Sequence, residues 1–144
     1  NVFDFAMEME DCGYDYYKNL ASTATLPGLM TTFTSLAEDE RKHYEIFRTL
    51  KAGTRVTVMP QSSALETAKN VFSLLPQGEA GVKGIVGVLG AYKHAMKLEA
   101  DSFRFYEDAA EKEADDEVKA LLVQIAGEEH KHFNLLENVY NFII

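Results

Sequence analysis

Leu36-Ala37-Glu38-Asp39-Glu40-Arg41-Lys42-His43 returns 89 residues later as Ile125-Ala126-Gly127-Glu128-Glu129-His130-Lys131-His132. Each copy holds a Glu three residues before a His. At 3.6 residues per turn such a pair lies about 60° apart on a helix surface, near enough for both to reach one metal ion. The same shift of 89 carries Glu10 onto Glu99, Tyr17 onto Tyr106 and Tyr44 onto Phe133. In both halves the first Glu is followed by a Tyr after seven residues, and that Tyr by the next Glu after 23. A lone Glu-x-x-His on a charged helix is a weak signal. Two of them, each with a further Glu 33 residues before the His and a shared apolar frame, mark an internal repeat.

The periodicity around these motifs is helical throughout. Residues 2–24 carry Phe3, Met7, Glu10, Tyr14, Tyr17 and Ala21 at steps of three and four. Pro27 and Gly28 interrupt the pattern, and a second helix over 28–51 places Phe33, Leu36, Glu40, His43 and Phe47 on one side, with Gly53 as its stop. A third helix runs from about 84 to 113 through Tyr92, Met96, Glu99, Phe103 and Tyr106, with a start blurred by Gly81, Gly84, Gly87 and Gly90. A fourth over 116–142 follows the acidic cluster Asp115-Asp116-Glu117, which suits a helix N-terminus. The expectation is an all-α, single-domain four-helix bundle spanning 1–144. Two antiparallel pairs, about 2–51 and 84–142, are joined by a long crossover, 53–83. Within that crossover Leu65, Ala68, Phe72 and Leu75, bracketed by Pro60 and Pro76, suggest a short inward-facing helix.

Glu10, Glu40, His43, Glu99, Glu129 and His132 all fall on the stripes that should face the core. Four carboxylates in a bundle interior are costly without cations, whereas two divalent metals need about four negative charges. Hard oxygen with borderline nitrogen suits iron, manganese or zinc. The competing reading is an ordinary solvated face of Glu and Lys, which the apolar company of Leu36, Phe47, Ile125 and Leu136 opposes. Tyr17 and Tyr106 are placed to hydrogen-bond carboxylate ligands from a neighbouring helix, and Asp39 and Glu128 to orient a ligand His through its free N–H. His94 and His130 fall off the stripe and read as surface or outer-layer histidines.

The net charge is −9, from 23 acids and 14 scattered bases, which argues against a nucleic-acid groove. No run of about 18 apolar residues exists, so no membrane-spanning helix is expected. Cys12 is the one cysteine, which excludes an internal disulfide and a four-cysteine metal knuckle; the cytoplasm is the expected compartment.

These segments resemble the rubrerythrin branch of the ferritin-like superfamily. The likeness is carried by Ala6-Met7-Glu8-Met9-Glu10 through Tyr17, Leu36 through His43, Lys97-Leu98-Glu99 through Tyr106, and Ala126 through His132. It implies a di-iron centre with Glu40 and Glu129 bridging, Glu10 and Glu99 terminal, and one imidazole, His43 or His132, on each metal. It further implies a redox enzyme reducing hydrogen peroxide or dioxygen, with iron storage by a ferroxidase as the alternative. A homodimer is expected, with a helix pair that the long crossover could swap between protomers. Two departures stand out. Rubrerythrins carry a four-cysteine iron centre, so here electrons would come from an external donor such as a rubredoxin-type protein. They also carry an extra Glu where this chain has Ser102, whose repeat mate is Gly13. That points to a more symmetric site.

Overall fold

The computed structural model describes residues 1–24, 27–56 and 89–143, with the side chains of Pro27, Leu89, Phe142 and Ile143 left aside. Four helices make up the described part: α1 (Val2–Thr23), α2 (Pro27–Lys51), α3 (Leu89–Lys112) and α4 (Asp116–Ile143). The short helix expected around 65–75 and the start of the third helix near 84 lie outside the described residues, as does most of the crossover on which a swap would turn.

The helix ends follow local chemistry. Asn1 caps α1, its side-chain oxygen accepting from the Phe3 N–H at 2.7 Å. Gly53 ends α2 with φ of 82°, a left-handed conformation that glycine adopts without a Cβ clash. The Asp115 carboxylate accepts from the Glu117 and Val118 N–H groups and so opens α4.

α1 packs along α2, and α3 along α4. Across the pairs, Phe5 stacks near Phe105 while the Tyr16 hydroxyl donates to the Ala91 carbonyl, so α1 and α3 run antiparallel. Asp39 meets His132 and Glu128 meets His43, so α2 and α4 run antiparallel as well. The order is therefore up-down-down-up. The chain between α2 and α3 joins opposite ends of a bundle whose helices are about 36 Å long, and a long link is a topological necessity.

Two apolar clusters fill the bundle. One gathers Tyr17, Leu20, Phe33, Leu36, Tyr92, Leu136 and Val139. The other gathers Ala6, Phe47, Tyr106, Leu121, Leu122 and Ile125. Between them lies a belt of buried polar residues: Glu10, Asp39, Glu40, His43, Glu99, Glu128, Glu129 and His132. Among the described residues no helix is long and apolar enough to cross a membrane.

One local rule can be checked directly. Gly127 sits mid-helix on the exposed side of α4, where an added Cβ would meet nothing within 4 Å. Gly127→Ala is expected to raise stability by about 1 kcal/mol, read as a higher denaturation midpoint at unchanged slope.

Candidate metal centre

The six candidate ligands converge, one or two from each helix. Glu10 comes from α1, Glu40 and His43 from α2, Glu99 from α3, and Glu129 and His132 from α4. They form two overlapping groups, Glu10/Glu40/His43/Glu129 and Glu40/Glu99/Glu129/His132, each with ligand atoms within 4.8 Å of one another. Glu40 and Glu129 belong to both groups, the position a bridging carboxylate occupies. All six are almost wholly removed from solvent.

The imidazoles are held in a defined sense. His132 Nε2 lies 2.8 Å from Asp39 Oδ2, and His43 Nε2 lies 2.9 Å from Glu128 Oε1. With Nε2–H donating to those carboxylates, Nδ1 faces the centre, where His43 Nδ1 stands 3.4 Å from Glu10 and His132 Nδ1 3.3 Å from Glu40 and Glu99. His43 Nδ1 also lies 2.8 Å from Glu129 Oε1, yet neither atom has a partner in hydrogen-bonding geometry. This is the crossed arrangement in which an outer carboxylate fixes the tautomer of a metal-facing histidine. Each orienting carboxylate comes from the opposite helix pair.

The tyrosines cross in the same way. Tyr17 of α1 donates to Glu99 of α3, and Tyr106 of α3 donates to Glu10 of α1, the latter at 2.7 Å. Burial, then the neighbouring carboxylates, push both phenols well above their ordinary range, so both keep their protons and act as donors.

Burial is also the largest effect on the carboxyls. It raises Glu10, Glu40 and Glu129, with mutual repulsion adding to it, and pushes Glu99 up to about 8. For His43 and His132 burial works toward the neutral form, but the surrounding carboxylates outweigh it and hold both imidazoles well above their usual range. Without metal the site therefore collects protons.

Whether metal ions fit this site is decided by its unsatisfied atoms. Glu10 Oε2, Glu40 Oε1, Glu99 Oε2, both Glu129 oxygens and His43 Nδ1 are buried with no hydrogen-bond partner. Leaving so many acceptors dry costs about 1–3 kcal/mol each. Divalent cations satisfy all of them at once, and the donor set of four carboxylates and two imidazoles matches iron, manganese or zinc. His94 and His130 stand apart and exposed, against Tyr16 and Phe103 respectively.

Gly13 has a role that its place in the sequence does not disclose. A Cβ there would meet Glu40 Oε2 at 2.8 Å. The glycine leaves room for the Glu40 carboxylate against α1, in the middle of a helix where it otherwise costs about 1 kcal/mol. Gly13→Ala is thus expected to displace Glu40 and weaken metal binding, where Gly127→Ala leaves metal content unchanged.

The orienting carboxylates give a second check. Asp39→Asn and Glu128→Gln are each expected to cost about 10–100-fold in metal affinity, measured by competition with a chelator. Because the two contacts are symmetry-related, their losses should be similar.

Searches of curated proteins and of solved structures gave no match to this chain. The family comparison is positive: the rubrerythrin model matches residues 1–140, a span that includes all six clustered residues, both tyrosines and both orienting carboxylates. With nearly the whole length matched and a buried carboxylate–histidine cluster in the bundle core, this chain belongs to the rubrerythrin family.

Proposed function

We propose that the chain is a di-iron redox enzyme that reduces a peroxide with electrons from an external donor. One observation carries this reading: two overlapping carboxylate–imidazole groups share Glu40 and Glu129, so two metal ions would sit side by side with a common pair of ligands. Iron bound there would supply the redox chemistry, one electron from each of two ferrous ions to a single O–O bond.

The chain's own residues do the rest. Glu40 and Glu129 would hold a metal pair together, and Glu10 with His43, and Glu99 with His132, would complete the two ends. Asp39 and Glu128 fix the imidazoles so that Nδ1 faces inward. Tyr17 and Tyr106 keep the terminal carboxylates in place and hold protons beside them. The apolar clusters on either side close the belt off at its two ends. With one cysteine, these 144 residues hold no four-cysteine iron centre, so reducing equivalents come from outside them. The six residues come from a single chain, and a homodimer would therefore contain two such centres.

The test is anaerobic loading with ferrous ion followed by stopped-flow mixing with hydrogen peroxide or dioxygen, alongside metal analysis and native mass. Two irons per chain, faster oxidation by peroxide and re-reduction by a rubredoxin-type donor are expected. Oxidation by dioxygen at least as fast as by peroxide, with a hollow many-subunit shell holding mineral, would move the reading to iron storage.

A further inference from the structure

A cavity of about 350 Å³ opens between α1 and α3, where the two helices approach only briefly. Glu8, Cys12 and Asp101 stand exposed at its rim, and Glu40, Glu99 and Glu129 form its buried floor. Its walls are largely apolar, with Phe5, Met9 and Leu98 the main surfaces. The three floor residues carry unpartnered buried atoms already described: Glu40 Oε1, Glu99 Oε2 and both oxygens of Glu129.

The lining follows the internal repeat. Met9 and Leu98, Cys12 and Asp101, Gly13 and Ser102, and Glu40 and Glu129 are each 89 residues apart, and all eight line this one cavity. Phe5, Glu8, Tyr17 and Glu99 have no repeat mate in the lining, so the cavity reaches the centre on the side of Glu40, Glu99 and Glu129, three members of one of the two ligand groups.

Size and chemistry narrow the occupant. A diatomic oxidant fills a space comparable to one or two waters, about 30 Å³ each. This cavity is several times larger, in the range of small-molecule sites with apolar walls and a few polar groups at one end. Glu8 at the rim, on a chain of net charge −9, opposes an anionic substrate, while Asp101 is paired with Lys97. We infer that the α1/α3 cavity binds the organic part of a neutral alkyl or aryl hydroperoxide and delivers its O–O end to the floor of Glu40, Glu99 and Glu129. This rests on the peroxidase reading above and specifies its substrate class. The O–O bond breaks, the hydroperoxide takes up two electrons and two protons, and an alcohol and water leave. Each of two ferrous ions loses one electron, and a one-electron donor protein restores them.

Cys12, the sole cysteine, reports occupancy from the rim. In zinc-loaded protein, which does no redox chemistry, cumyl alcohol serves as the probe. At about ten times its Kd it should slow alkylation of Cys12 by N-ethylmaleimide about tenfold. Ser102→Phe, or Met9→Phe should the first fail to fold, fills the cavity and should remove that protection. In ferrous-loaded protein the same variant should lower kcat/KM for cumene hydroperoxide relative to hydrogen peroxide by about tenfold or more. The parent should use linoleate hydroperoxide, an anion, poorly. Protection of Cys12 and the change in ratio are both required. If hydrogen peroxide is reduced but either is missing, the hydroperoxide site is overturned while the peroxidase reading stands. If no peroxide is reduced, the peroxidase reading falls, and the hydroperoxide assignment falls with it even where cumyl alcohol protects Cys12.

Discussion

Glu129→Ala is expected to leave at most one metal ion per chain where two are proposed for the parent, and to reduce peroxide-driven oxidation by more than the roughly 100-fold upper range of an outer-carboxylate change. Glu129 contributes to both ligand groups and neither of its oxygens has another partner, so its loss weakens both positions together. Glu40→Ala should match it, because Glu40 is the repeat mate and also belongs to both groups. Glu10→Ala and Glu99→Ala each touch one group only and should each spare the other metal. Elemental analysis of protein dialysed against weak chelator separates these outcomes. If Glu129→Ala and Glu40→Ala retain two ions, the shared-ligand geometry is wrong.

The second large effect concerns protons. In the unfolded chain the site carboxyls titrate near 4.5, whereas in the fold Glu99 titrates at about 8 and Glu10, Glu40 and Glu129 are raised too. Between those values the folded state binds more protons than the unfolded state, so stability falls as pH rises. His43 and His132 act in the same direction, since they stay charged in the fold above the ordinary imidazole value of 6.5. The metal-free protein should therefore lose on the order of several kcal/mol between about pH 5 and pH 8. That corresponds to a melting temperature lower by about 10 °C or more. Loading at pH 6 should release protons, because metal ions displace those held by the raised carboxyls and imidazoles, measurable from the dependence of the calorimetric heat on buffer ionisation. Loaded protein should lose the alkaline instability, because metal replaces the protons that pH would remove.

Much of this architecture was legible in the chain because the repeat at 89 residues fixes both the helices and the residues they turn inward. A Glu and a His three apart can meet only on one helix face, and two such helices, with one inward Glu on each of the other two, leave little choice of core. The sequence also marked Tyr17, Tyr106, Asp39 and Glu128 as supports, but not which partner each would take. That depends on the antiparallel register of α1 against α3 and α2 against α4, which sends every one of these contacts across to the other half. Gly13 looked like the mate of Ser102 and nothing more, since its purpose is a distance to the Glu40 carboxylate and distances between helices are not written in spacing. The cavity was invisible for the same reason: it arises from how sparsely α1 meets α3.

The crossing of those contacts has a consequence for how such a site can arise. Neither helix pair satisfies itself: the first leaves Glu10 and His43 waiting for Tyr106 and Glu128, and the second leaves Glu99 and His132 waiting for Tyr17 and Asp39. Each pair, however, carries the groups the other lacks, at matching positions. A hairpin with one half of this pattern is complementary to a second copy of itself, as any two-fold interface requires. Duplication and fusion of one self-pairing hairpin yields the whole centre in a single step. From then on the halves are free to diverge, as Gly13 and Ser102 have, provided the crossed contacts survive.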